Sequence, residues 1–341
     1  FATACSESDT IDLRIGAGHP AGPAVYATQM RDFFVPEVTR RVVAETGYEI
    51  NFIEGYGGSI AKVAETLEAV EAGILDIGAY CVCFEPSKLF LHNFSYFVPF
   101  GPRDSVQAIQ VARRIYDAHP WLHEQLGQSY KQELLALNGW DNYHLGTVMP
   151  WNSIDELQGV KIAGAGPNLP WLEFAGAVPV QSTLPDGYLS MQTGVYSGWL
   201  MFPSAYYSFN FHEPAPNYTL VHFGSVGGAV VLTINNDAMT ALPVEVQKII
   251  REVGRDYERI AAVALNEGQA LGLKNLEAAG TAIRTLPDSV RRDWAESLAE
   301  FPNQMATDAD ARDMPGSEII RDYIDAVSQS GHEWPVHYAI E

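Results

Sequence analysis

Apolar positions along this chain switch repeatedly between a period of two and a period near 3.6. Ile11, Leu13 and Ile15 alternate with polar neighbours, as in a strand with one buried face. A helix is expected over 24–45, closed by Gly47, with a second strand over 48–53. Gly57-Gly58-Ser59 is expected to open a helix whose Ile60, Val63, Leu67 and Val70 share a face, with Gly73 ending it. A third strand is expected over 74–78, a helical stretch over 101–128, and a strand over 133–137.

The most regular stretch is 153–199. Ser153 and Glu156 have capping-box spacing before a short turn, and Gly159 suits a left-handed cap. Val160 and Ile162 read as a strand, Gly164–Asn168 as a loop, and Leu172–Gly176 as a helix end. Val178 and Val180 mark another strand. Pro185 and Asp186 open a helix that Gly194 closes, and 195–199 is again a strand. The grammar of 67–78 returns in 188–198, which implies two similar α/β lobes rather than a solenoid. Beyond it lies a strand within 223–234. A long helix follows from Pro243 to about residue 280, with Val246, Ile249, Ile250, Val253, Tyr257 and Ile260 as its stripe. A strand near Ile283 and further helices, broken at Pro302 and Pro315, complete the chain. Strands alternating with helices imply an α/β fold with a parallel sheet, and ligands sit at the carboxyl ends of such strands.

Composition narrows the class. With 341 residues, 47% of them hydrophobic, the chain can fill two cores, and no apolar run is long enough to cross a bilayer. Acidic residues number 42 against 21 basic, a net charge of −21 that repels phosphate backbones and argues against a nucleic-acid partner. The same charge serves solubility, or the attraction of a cationic ligand. Cys81 and Cys83 lie too close along a strand to pair readily, and Cys5 reaches them only if the N-terminus folds back. Ala2-Thr3-Ala4 resembles the end of a secretory signal, which would leave Cys5 as a possible lipid-anchored residue.

Catalytic signatures are missing: there is no G-x-S-x-G, H-E-x-x-H, phosphate-binding loop or paired C-x-x-C. Gly16, Gly18 and Gly22 follow a strand, and Glu54 ends the next, as in a dinucleotide turn of an NAD-dependent oxidoreductase. Against that, Pro20 and Pro23 remove backbone donors, and Glu54 lies well beyond the usual interval of about 20 residues.

Three segments in order carry a family resemblance: D-E-L-Q-G-V-K-I at 155–162, A-G-A-V-P-V at 175–180 and D-G-Y-L-S-M-Q-T-G-V at 186–195, joined by Y-G-G-S-I-A-K-V-A-E-T-L-E-A-V-E-A-G-I-L-D-I-G at 56–78. The chain resembles the solute-binding proteins of tripartite ATP-independent periplasmic (TRAP) transporters, dicarboxylate type, over most of its length. The resemblance implies a two-lobed periplasmic-binding-protein-like fold with crossing strands and a long lobe-spanning helix. Lobe I would be 8–140 with 225–253, lobe II 141–224 with 254–341, and the ligand would lie in the cleft between them. It implies an exported, periplasmic protein without cofactor or catalysis, expected as a monomer, handing a small-molecule solute to TRAP permease subunits.

Family members clamp a ligand carboxylate with an arginine, whose planar fork makes two parallel hydrogen bonds. Here Ala163 stands at that position after Lys161 and Ile162. Leu145 stands near a second arginine position, and Met201 replaces a frequent asparagine. Aromatic residues crowd the corresponding segments: Tyr80, Trp140, Tyr143, Trp199, Phe202 and Tyr206. Aromatic faces attract ammonium groups most strongly where water is excluded. Glu85, Asp141 or Asp186 could add a carboxylate, and His19, Ser59 and Cys81 join the candidate set as loop, helix-opening and strand-end residues. The expected ligand is a small amine or quaternary ammonium, ethanolamine- or choline-like. An organic or aromatic acid held by a relocated basic residue is the alternative.

Overall fold

The computed structural model describes residues 10–341. Cys5 and the Ala2-Thr3-Ala4 segment lie outside the described residues. Eleven strands form two sheets among the described residues: β1 Thr10–Ala17, β2 Glu49–Tyr56, β3 Ile77–Cys81, β4 Gln132–Trp140, β5 His144–Thr147, β6 Lys161–Gly164, β7 Val178–Gln181, β8 Gly198–Met201, β9 Asn217–Leu220, β10 Val226–Asn235 and β11 Ala282–Thr285. The first sheet has the order β2-β1-β3-β10-β4 and the second β11-β9-β5-β8-β6-β7. The parallel expectation holds for β1 with β2 and β3, and for β6 with β7 and β8. The second sheet is nevertheless mixed, because β5 runs antiparallel to both β8 and β9.

The chain clusters into two compact units. One comprises 10–80, 123–136 and 231–261 of the described residues, and the other 81–122, 137–230 and 262–341. Strands β4 and β10 and the helix Val244–Ala278 each continue from one unit into the other. That helix has 35 residues, roughly 50 Å at 1.5 Å per residue. Segment 81–122, given to lobe I in the sequence division, groups with the second unit. Its helix Ser105–Ala118 packs on the helix Gly316–Gln329, where Gln107 Nε2 donates to Ser330 O and Arg114 to Gln329 Oε1.

Three local expectations fail for identifiable reasons. The helix over 24–45 contains one wide turn at Met30–Phe34, because Pro36 has no N–H with which to continue the ladder. Gly57 and Gly58 both adopt left-handed backbone, so the chain turns there and the helix starts only at Thr66. Ser59 is accordingly an exposed turn residue, not a helix cap. Ser153 makes no capping bond, and Glu156 accepts instead from the N–H of Asn152 at 3.3 Å. Gly159 does take the left-handed cap, at φ 72°.

Gly146 in β5 shows how tightly the second unit is filled. A Cβ there would enter the ring of Tyr206, which is fully buried and donates its hydroxyl to Ala215 O at 2.6 Å. Gly146→Ala is expected to lower unfolding free energy by about 3 kcal/mol, as overpacking a rigid core does. Denaturant titration checks this; a loss below about 0.5 kcal/mol would mean that Tyr206 moves freely.

Candidate functional site

The sequence-named candidates separate by unit. His19, Ser59 and Tyr80 belong to the first. Tyr80 is a core residue there: its hydroxyl donates to Gln132 Oε1 at 2.8 Å, which also accepts from Thr233, while Gln132 Nε2 donates to Leu67 O. His19 is buried, with Nδ1 3.0 Å from the Tyr26 hydroxyl. Burial pushes its pKa down to about 4.

In the second unit, Trp140, Tyr143 and Phe202 come together. The Trp140 and Phe202 rings stack at 5.2 Å and 14°, and Tyr143 meets Phe202 edge-on at 5.2 Å. Trp140 Nε1 donates to Cys81 Sγ at 3.4 Å. Each of the three rings keeps 5–6% of its surface exposed, and so does Met201 beside them at 5%. Trp199 and Tyr206 are sealed at 1% and 0%. They pack with Phe211 and Tyr218 as core rather than cage.

Sequence reasoning missed the support behind the three rings. Tyr143 and Tyr96 share a hydroxyl–hydroxyl bond at 3.2 Å, and Trp171 packs edge-on against Tyr143 at 5.8 Å. The aromatic density of 90–100 was the available signal for Tyr96.

Cys81 and Cys83 form a disulfide, contrary to the sequence expectation. The chain leaves β3 at Cys81 and tightens into the turn Val82–Phe84, which sets the two Cα atoms 5.1 Å apart, inside the bridging range. Asp186 is exposed and accepts from Thr183 Oγ1 at 2.5 Å at the start of its own helix. Glu85 is buried, 3.4 Å from Lys88 Nζ, and burial raises its pKa.

Asp141, between Trp140 and Tyr143 in sequence, is the unusual carboxylate. It is fully buried, Oδ1 accepts from Ser204 Oγ at 3.0 Å, and Oδ2 has no partner among the described residues. Burial pushes its pKa up to about 7, partly offset by hydrogen bonds from Ser204. Tyr143 is shifted upward mainly by burial, then by Tyr96 and the Asp141 charge, with Asn168 opposing. Among the described residues no cation acts on either. Ala163 is wholly buried in β6, paired with Val180 and Trp199, and Lys161 at the start of that strand is exposed.

The glycine turn at 16–22 is not shaped for a dinucleotide. A Cβ at Gly18 would strike the backbone of Lys62 and Val63, so that glycine is packed against its own chain rather than open to a phosphate.

Residues 45–308 match the family model described as bacterial extracellular solute-binding protein, family 7. The chain belongs to that family. The C4-dicarboxylate-binding periplasmic protein DctP of Rhodobacter capsulatus is 26% identical over 269 residues, covering 74% of this chain and 76% of the relative. A marine metagenome TRAP solute-binding protein specific for aromatic acid ligands, solved with 3-hydroxybenzoate, superposes with a TM-score of 0.82 at 19% identity over 95% of this chain and 100% of that one. A TRAP solute-binding protein of Rhodoferax ferrireducens with copurified benzoate gives a TM-score of 0.82 at 16% identity over 94% and 98%. DctP7 of Bordetella pertussis, which binds pyroglutamic acid, gives 0.77 at 18% over 93% and 99%. The two-lobed α/β expectation is thereby met. The protein is an extracytoplasmic solute-binding protein of that family, and not an enzyme. Among the described residues no helix is long and apolar enough to cross a membrane.

Buried histidines give the fold a pH dependence. Burial lowers the pKa of His19 and His222 to about 4 and that of His144 well below its usual value. Each is held neutral when folded, so its contribution is complete above about 6.5 and is lost as pH falls towards 4. Asp141 acts oppositely over the same range, because its protonated form is favoured in the fold. Three groups outweigh one, so unfolding free energy is expected to drop between pH 6.5 and 4. Denaturant midpoints across that range check it; a midpoint that rises on acidification would contradict it.

Proposed function

We propose that this receptor captures a small cationic solute, an amine or quaternary ammonium of ethanolamine or choline size, and delivers it as a monomer to its permease. The observation that carries this is Asp141: a fully buried carboxylate beside Trp140 and Tyr143, with one oxygen unpartnered and no cation acting on it among the described residues. An ammonium group against the Trp140, Tyr143 and Phe202 faces gains cation–π attraction and favours the ionised form of Asp141 through space. Ala163, in place of the family's arginine, leaves a carboxylate ligand without its usual clamp. His19, Ser59, Cys81, Glu85, Asp186 and the remaining sequence candidates are not needed for this role.

An aromatic acid is the second ligand class. The flat Trp140–Phe202 stack favours it, as do the ligands of the two structural neighbours solved with 3-hydroxybenzoate and benzoate. It requires a basic residue other than one at 163.

A thermal-shift panel on protein unfolded and refolded free of carried ligand separates the two classes. Choline or ethanolamine is expected to raise the melting temperature by mass action, while dicarboxylates, sugar acids and benzoate do not. Stabilisation by acids alone would refute the cationic ligand.

A further inference from the structure

The second unit holds a cavity of about 320 Å³ that shares no lining residue with the ring cluster. Phe90, Phe97, Leu169, Phe301 and Met305 supply apolar walls, and among the described residues no ionisable side chain lines it. The Phe90 and Phe97 rings lie 5.0 Å apart, Phe97 meets Phe301 edge-on at 6.4 Å, and the Arg312 guanidinium sits over Phe90 at 4.0 Å. These contacts hold the walls in place.

Two amides interrupt the apolar lining. Asn93 is 1% exposed, and its Nδ2 donates to Val82 O at 3.2 Å and Leu89 O at 2.9 Å. Both partners are pure acceptors, so the orientation of the amide is fixed and Oδ1 is the acceptor end. That Oδ1 has no partner among the described residues. A buried acceptor left without a donor is costly, and such groups in native proteins call for a partner. Gln181, the second amide, spends Oε1 on the N–H of Gly166 at 2.7 Å, which leaves its Nε2 end as a donor beside the same cavity.

We propose that this cavity is a second small-molecule site. It takes a compact apolar ring carrying one hydroxyl, of the phenol class. The hydroxyl donates to Asn93 Oδ1 and accepts from Gln181 Nε2, while Phe90, Phe97 and Phe301 surround the ring. The volume falls at the small end of the range for ligand pockets, and the lack of any ionisable lining group excludes a charged solute. Its occupant therefore differs in class from the cation proposed for the ring cluster, and neither proposal depends on the other.

Fluorine NMR titration of the refolded, ligand-free protein with 4-fluorophenol and with fluorobenzene tests it. 4-Fluorophenol is expected to bind at least tenfold more tightly, since fluorobenzene leaves Asn93 Oδ1 unpaired. Met305→Trp fills the cavity from a half-buried helix position and is expected to weaken 4-fluorophenol at least tenfold at an unchanged melting temperature. If that variant fails to fold, Leu169→Trp gives the same readout from another lining position. Equal affinity for the two probes, no binding of either, or indifference to the filling variant would overturn the proposal. So would displacement by choline, or loss of binding in Trp140→Ala, either of which would put the phenol on the ring cluster instead.

Discussion

At pH 8 the Asp141→Asn protein should melt at a higher temperature than its parent and should lose its hold on an ammonium ligand. The two effects share one cause. An isolated carboxylate taken from water into a closed interior is costly, and here burial raises the pKa from 3.8 to about 7. The sign follows from the direction of the shift. Below the unfolded value the group is protonated in both states and contributes no penalty. As pH rises from about 4 to about 7 the unfolded chain loses its proton first, so stability falls. Above about 7 the penalty is complete, at most about 4 kcal/mol for a shift of this size. Asparagine keeps the shape and a hydrogen bond with Ser204 while removing the charge, so the gain should appear at pH 8 and vanish near pH 4. Removing Asp141 also removes its opposition to the histidines, so acid sensitivity between pH 6.5 and 4 should steepen. A charge retained at this stability cost is explained if a cationic ligand uses it. Melting curves at pH 4 and pH 8, with choline titrations alongside, read all of this. A variant less stable than its parent at pH 8 would mean that the Asp141 charge is well compensated in the fold.

Trp171→Ala should be the most damaging single truncation near the ring cluster, at about 3–5 kcal/mol. Trp171 is fully buried and stacks on Phe223 at 5.2 Å and 25°. Its Nε1 donates to Tyr96 O at 3.0 Å, and its own carbonyl accepts from Trp294 Nε1 at 2.8 Å. Truncation would leave a cavity and an unpaired acceptor behind the pair Tyr96–Tyr143. Solute affinity should therefore fall as well, at temperatures where the variant is still folded. Denaturant unfolding and ligand titration check the two parts. Trp171→Phe should recover most of the stability but not the hydrogen bond. A cost under about 1 kcal/mol for the alanine variant would show that the cluster does not depend on this support.

What the sequence disclosed, and what it hid, follows from the range of the forces involved. The two-residue alternation of Ile11, Leu13 and Ile15 and the long stripe from Val246 to Ile260 are local signals, and β1 and the helix Val244–Ala278 appear where they point. Gly159 could be recognised because its backbone conformation belongs to its own residue. The wide turn at Met30–Phe34 also has a local cause in Pro36, but its effect falls one turn upstream, where the apolar pattern is that of a continuous helix. The antiparallel insertion of β5 depends on partners distant in sequence, and four residues, His144–Thr147, carry too short a pattern to announce it. The disulfide is not legible in the sequence, because it depends on the chain leaving strand geometry at Cys81 for the tight turn Val82–Phe84.

Aromatic enrichment marks residues whose rings do pack together, but it cannot sort them. Trp140 and Phe202 retain a little exposure, whereas Trp199 and Tyr206 are sealed, and only packing distinguishes them. Asp141, Asp186 and Glu85 looked equivalent as carboxylates. Burial separates them: Asp186 is exposed, Glu85 lies beside Lys88, and Asp141 is enclosed with one oxygen unpartnered.

Calorimetric titration of the refolded protein with choline at pH 7, repeated in buffers of different ionisation enthalpy, tests the central claim most directly. Near its pKa Asp141 is about half protonated, so a cation that favours its ionised form should release roughly half a proton on binding. The expected result is saturable choline binding with that release, absent from Asp141→Asn. Tight binding of benzoate or a dicarboxylate, with no heat from choline and no proton released, would contradict it.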